Sequence, residues 1–150
     1  MAKSEKKTGR AAPQVAALPY RLDSRGRVTI LLITSRRTKR YIIPKGWKMK
    51  HKKDASAAAQ EAKEEAGVIG AVSKQPIGSY SYQKEFATGK TKVKVAVYAL
   101  QVTEQLWQWP EQKERTRIWV EPERAVNMIS DVSLIPLLRT ANNYARFAAE

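Results

Sequence analysis

Apolar runs of strand-like composition recur along the chain between polar, glycine- and proline-containing breaks, and one alanine-rich segment follows a different period. "RVTILLITSR" is β-branched and apolar for most of its length, as a strand buried on both faces is. The shorter run "VAALPYRL" precedes it, separated by "DSRG", a turn composition. "RYIIPKGW" starts as a strand and is expected to stop at Pro44–Gly46, because proline has no N–H for a ladder and glycine relaxes the backbone. "IGSYSYQKEF" and "TKVKVAVYALQV" are rich in Tyr and Val, and "KVKVAV" alternates charged with apolar residues, as a strand with unlike faces does. "ATGK" between them predicts a hairpin. "TEQLWQWPEQKERT" reads as a loop, and "RIWV" as a last short strand.

The alanine-rich segment is the clearest helix. In "DASAAAQEAKEEAG", Asp54 is placed to cap the N-terminus, alanine has the highest helix propensity, and Gly67 stands where glycine ends helices. At about 100° per residue, Ala55, Ala58, Ala59, Ala62 and Ala66 make one stripe, and Glu61, Glu64 and Glu65 make another beside it. Small residues let such a helix pack closely on a sheet, which holds the backbone of the glutamates still. "EPERAVNMI" and "SLIPLLRTANNYARF" also read as helices, with Pro122 and Pro136 in first turns.

Length and composition narrow the picture. A chain of 150 residues suits one domain with its own core, and residues 15–150 are read as that domain behind a basic tail at 1–14. Cysteine is absent, which excludes a disulfide framework, a thiolate metal site and a cysteine nucleophile. A reducing cytoplasm is the expected compartment. No apolar run reaches membrane-span length, so no membrane partner is expected.

Charge then sharpens the question. The formal net charge is +14, and from Arg36 to Lys53 there are nine cations and no acid. Eight residues later, three glutamates fall within five positions. Such a balance bears on partners and says nothing of fold.

The stretch from Gly46 to Val68, "GWKMKHKKDASAAAQEAKEEAGV", resembles the Nudix box, G-x5-E-x7-R-E-U-x-E-E-x-G-U with U aliphatic. Gly46, Glu61, Ala62, Glu64, Glu65, Gly67 and Val68 match; Lys52 stands where the family has glutamate, and Gln60 where it has arginine. The flanks "TSRRTKRYIIPKGW" and "LWQWPEQKERTRIWV" are similar to those of the diphosphoinositol polyphosphate phosphohydrolase branch. The resemblance covers roughly residues 15–128 and implies an α/β fold, a Nudix α/β/α sandwich around a central mixed β-sheet. It further implies Glu61 and Glu65 as ligands of Mg²⁺ or Mn²⁺, the Gly46 carbonyl as a third ligand, and Glu64 as the base or water-orienting residue.

Physical chemistry explains why these residue types serve that purpose. Carboxylates about 6 Å apart repel by roughly 3 kcal/mol per pair at an effective dielectric of 20, and a divalent cation removes the repulsion. Hard oxygen ligands suit Mg²⁺, which keeps positions for water and phosphate. The branch resemblance makes Arg21, Arg36, Arg40, Lys45 and Arg117 the candidates for gripping phosphates, since arginine forks match phosphate oxygens in pairs. Glu111 and Glu114 are the candidates for a further acid at the metal.

The implied function is hydrolysis of a phosphoanhydride in a highly anionic small molecule, a diphosphoinositol polyphosphate or a dinucleoside polyphosphate. The alternatives are hydrolysis of nucleoside diphosphate derivatives or RNA 5′-triphosphate ends, and a catalytically silent module that binds nucleic acid or an anionic metabolite. The last draws support from Lys52 and Gln60, which remove an ion pair that braces the loop against the helix in the family. Nucleic acid is not favoured, because Trp47 alone offers a stacking platform inside the basic stretch. Plainer readings hold elsewhere: His51 belongs to a surface loop, Tyr80 and Tyr82 to one face of a strand, and Trp107, Trp109 and Trp119 to packing.

Overall fold

Strand β1, Gln14–Leu22, divides its side chains between two cores. The computed structural model describes residues 13–144. Ala16, Leu18 and Tyr20 join a cluster that includes Ala125, Leu134, Leu138 and Tyr144. Val15 and Ala17 join a second with Ala57, Ala58, Ala62 and Ala66. Period-two alternation makes this inevitable for a strand covered on both faces. β2, Val28–Thr34, alternates likewise: Ile30 and Leu32 face one core, Leu31 and Ile33 the other.

Around these two strands lie β3 (Tyr41–Ile42), β4 (Lys45–Trp47), β5 (Val68–Val72), β6 (Gly78–Phe86), β7 (Gly89–Gln105) and β8 (Arg117–Val120) in one eight-stranded sheet. β1 runs parallel to β7, from Gln14↔Val95 to Tyr20↔Gln101. Every other pairing between strands is antiparallel, so the sheet is mixed. Pro19, with no N–H to donate, falls between the stretch of β1 paired with β4 and the stretch paired with β2. Helix α1, Asp54–Glu61, continues as a wider π-type turn, Ala62–Ala66, and covers one face. Helices α2 (Pro122–Met128) and α3 (Ile135–Arg139) cover the other, completing an α/β/α sandwich.

Much of this follows the pattern of the sequence, including the β6–β7 hairpin closed at Phe86↔Gly89 and the left-handed Gly67 at φ 67° that ends the carboxylate helix. Four expectations need correction. Lys45–Trp47 is not a stop after a strand: it pairs with Gln14–Ala16 as β4. Gln14 itself belongs to β1 and not to the tail, whose residues 1–12 lie outside the described residues. Asp54 does not cap α1. The N-cap is Lys53, and Asp54 sits in the first turn with its carboxylate 3.3 Å from Lys48 Nζ. β7 runs on to Gln105, so the loop before β8 is shorter than the pattern indicated.

Candidate active site

The packing of α1 brings residues distant in sequence together. Ala57, Ala58, Ala62 and Ala66 are fully buried, and alanine lets the helix axis approach β1 closely. β4 is held to the same strand by Val15↔Gly46 and Ala16↔Lys45. The Glu61 carboxylate therefore lies directly against Gly46, in the space that a Cβ at that position would need. One turn on, Glu65 is 7% exposed, and its Oε1 accepts a hydrogen bond from the Lys45 N–H at 3.2 Å. Consecutive residues of one short strand thus touch both carboxylates.

Burial dominates the electrostatics here. It pushes the Glu65 carboxyl up to about 8; Arg115 opposes the rise and Glu61 adds to it. Glu61 is raised by burial as well, against a hydrogen bond from Glu65, and the charges of Glu64 and Glu111 raise it further. Burial and mutual repulsion thus disfavour two full charges on the pair. Arg115, its side chain 7% exposed, stands behind them with Nη2 3.7 Å from Glu65 Oε2 and Nε 2.8 Å from Glu111 Oε1. It also donates from Nη1 to the Thr34 carbonyl at 3.1 Å. Of the two further acids, Glu111 is the one that adjoins this pair, through its bond to Arg115. Glu114 faces Arg36 at the surface, 3.3 Å away.

Glu64 points differently. Its Oε2 accepts a hydrogen bond from Gln60 Nε2 at 2.9 Å, beside an open groove that Lys52 and Lys63 also line. The arginine-to-glutamine departure thus leaves the carboxylate with a neutral donor on the same helix face. The ion pair Lys48–Asp54 ties the loop after β4 to the first turn of α1.

The donor set fits a hard divalent cation. Among the described residues no three acidic or histidine side chains converge into a ready-made cage. Mg²⁺ does not require one, since it is commonly bound by one or two carboxylates with water and phosphate completing its octahedron. Glu61 and Glu65 are two such carboxylates, held together at an energetic cost that a cation would relieve.

The five cation candidates are scattered in role. Arg117 spends its guanidinium on main-chain carbonyls: Nη1 donates to Ala66 and Gly67 at 3.0 and 3.2 Å, and Nη2 to Leu106 at 2.9 Å. Its plane lies 3.9 Å over Trp109, whose Nε1 donates to the Glu65 carbonyl at 3.2 Å. Together they clamp the end of the carboxylate helix. Arg21 stacks on Trp119 at 4.1 Å. Arg36 pairs with Glu114, and Arg40 is exposed with Nε 3.1 Å from Thr38 Oγ1. Lys45 alone of the five adjoins Glu65, and burial lowers its ammonium below the usual range.

Packing claims Trp109 and Trp119, as tryptophans in a small domain generally are. Trp107 departs from that expectation at 91% exposed. Sequence reasoning passed over Arg115, which lies two residues before the arginine it chose.

A family model described as NUDIX domain matches residues 12–139. Nudix hydrolase 16, mitochondrial, of Arabidopsis thaliana is 39% identical over 104 residues, covering 66% of this chain and 57% of that protein. Nudix hydrolase 12, mitochondrial, of the same plant is 30% identical over 127 residues, covering 74% and 63%. The chain spans about three-fifths of the length of the curated relatives it matches. Among solved structures, a C. elegans Ap4A hydrolase superposes with a TM-score of 0.63 at 19% identity, covering 90% of this chain and 98% of that one. The NUDIX domain of Shewanella oneidensis NrtR, complexed with ADP ribose, gives 0.64 at 14% identity, covering 97% and 99%. At those identities the structures speak for the shared fold.

Proposed function

This chain belongs to the Nudix family, and from that premise we propose that it hydrolyses a phosphoanhydride bond in a highly anionic substrate, a dinucleoside or diphosphoinositol polyphosphate, with a divalent cation. The observation that carries this reading is the carboxylate pair Glu61–Glu65 pressed against β4 at Gly46 and Lys45. Glu61, Glu65 and the Gly46 carbonyl would hold Mg²⁺ or Mn²⁺, with Glu111 as the acid nearest to joining them. When bound, such an ion supplies charge neutralisation at phosphate oxygens and a lowered pKa for attacking water.

The chain's own residues have the remaining tasks. Glu64, outside the buried pair, is the candidate to accept a proton from the attacking water, and Gln60 fixes its rotamer through the hydrogen bond to Oε2. Arg115 bridges the two acids, bonding Glu111 at 2.8 Å and lying 3.7 Å from Glu65. Lys45 is the cation best placed to meet a phosphate beside Glu65. Arg21, Arg36 and Arg40 add an exposed field that attracts anions before contact. Arg117 acts through the helix end and holds the backbone of the carboxylates still.

The cytoplasm remains the proposed compartment on the absence of cysteine. Among the described residues no helix is long and apolar enough to cross a membrane. Product release from diadenosine hexaphosphate and from a diphosphoinositol pentakisphosphate, with Mg²⁺ and then with EDTA, tests the activity. Cleavage that EDTA abolishes supports it. Binding without cleavage, persisting in EDTA and in Glu64→Gln, overturns it in favour of a silent binding module.

A further inference from the structure

An open groove of about 540 Å³ runs along α1, and both departures from the Nudix box line it. Lys52 reaches it from the loop before the helix, and Gln60, Lys63 and Glu64 from the helix and its π-type continuation. Gln60 and Glu64 precede Glu61 and Glu65 by one position each. The groove therefore occupies the neighbouring sector of the helix, roughly 100° around from the buried carboxylate pair. Glu64, whose charge also acts on Glu61, stands at the border between the two.

Both walls are tied down. Lys52 sits in a turn closed by its own N–H to the Met49 carbonyl at 3.4 Å, and Met49 packs on the core beneath α1. Opposite, Pro110 stands between two anchors. Trp109 Nε1 donates to the Glu65 carbonyl at 3.2 Å, and the Glu111 N–H donates to the Glu64 carbonyl at 3.1 Å. Contacts to the helix backbone thus set the shape of the groove before any ligand arrives.

With the usual box, a glutamate at 52 and an arginine at 60 would pair across this space. Here Lys52 and Lys63 line it as cations with no ion-pair partner among the described residues. Glu64 is the one acid of the lining among the described residues, and its Oε2 is engaged by Gln60. Lys52 lies two residues before α1 and Lys63 two after it, across a helix about 12 Å long. Cations so spaced suit a chain of phosphates better than a single one. Ala59, Ile69 and Pro110 make much of the remaining lining apolar. An inositol ring with phosphate on every carbon has no face for such a wall, whereas a nucleobase has. We infer that this groove is the subsite for the far nucleotide of a dinucleoside polyphosphate, with Lys52 and Lys63 along its phosphates and the base on Ala59, Ile69 and Pro110. The inference rests on the hydrolase reading and selects between the two substrate classes named there. The volume is within the range of small-ligand sites.

The test is the ratio of kcat/KM for diadenosine hexaphosphate to that for a diphosphoinositol pentakisphosphate, in wild type and in the double variant Lys52→Gln, Lys63→Gln. Both side chains are exposed, so Tm should hold. Wild type is expected to favour the dinucleotide, and the variant to lose about tenfold of that preference through a raised KM. If the lysines act only as a diffuse field, the more highly charged inositol compound suffers at least as much, and the ratio stays within about twofold or rises. That result overturns the subsite. Ile69→Thr keeps a branched strand residue and puts a hydroxyl on the wall, so KM for the dinucleotide should rise about threefold. An unchanged KM contradicts the place given to the base. If wild type cleaves neither compound, the hydrolase reading fails by itself. Calorimetric binding of the same two compounds to wild type and the double variant then decides the subsite by the same shift in preference, and equal affinities of the two proteins overturn it.

Discussion

Replacing Gly46 with alanine separates the chemistry of the site from the stability of the fold. Gly46 has no positive φ that would strain an alanine. The new methyl would occupy the place of the Glu61 carboxylate, with even the farther oxygen, Oε1, only 3.0 Å away. The carboxylate must retreat by about 1 Å to reach ordinary contact. Because the obstructing atoms are the far end of a flexible, half-buried side chain, the retreat should lower stability by about 1 kcal/mol or less, a Tm shift of roughly 2–4 °C. Metal and substrate positioning tolerate such displacement poorly, and about 1 Å at a reacting centre can reduce rate by about 100-fold. That factor corresponds to about 2.7 kcal/mol of lost transition-state stabilisation. The assay is kcat/KM across a Mg²⁺ titration beside thermal unfolding of the metal-free protein. An active Gly46→Ala with unchanged Mg²⁺ dependence would refute the claim that the Glu61–Gly46 contact defines the metal site, and extensive unfolding would refute the claim that Glu61 yields easily.

Arg117→Ala strands the Ala66, Gly67 and Leu106 carbonyls and removes the stack on Trp109, so a destabilisation of about 2–4 kcal/mol is expected by chemical denaturation; a loss under about 0.5 kcal/mol would deny the clamp. With Glu65 raised to about 8, its contribution to metal-free stability is fully present below its unfolded pKa and is lost as pH rises through about 8. Denaturant midpoints of the EDTA-treated protein should therefore fall progressively from about pH 5 to about pH 8 and then level, and a rise across that window would reverse the assigned sign. The same raised pKa means that Mg²⁺ must displace a proton near pH 7, so its affinity should climb towards pH 8 and then level, with proton release visible by calorimetry in buffers of different ionisation enthalpy.

The carboxylate helix was legible because its signals agree: an alanine stripe that must face a sheet, glutamates beside it, and Gly67 to end it. The Gly46–Glu61 contact was legible only through the spacing of a known box. Periodicity alone cannot tell which residue of a short strand will meet a helix some fifteen positions later. β5 had no prediction because Gly70 breaks the pattern of "VIGAV", and the structure explains the glycine: a Cβ there would meet the Gln101 backbone at a register shift in the β5–β7 pairing. Arg115 escaped for a different reason. It precedes β8, so no strand alternation fixes its direction. Hydrogen bonds to Thr34, from the Arg115 guanidinium to the carbonyl and from the Thr116 N–H to Oγ1, turn it inward.

The most direct test of the central claim is the Mg²⁺-dependent turnover of diadenosine hexaphosphate by wild type and by Glu65→Gln at pH 8. The account expects wild-type cleavage and a fall of about a thousandfold or more in kcat/KM for the variant, with its fold retained by circular dichroism. Equal turnover by the two proteins would contradict it, because the hydrolytic centre would then lie somewhere other than on this helix.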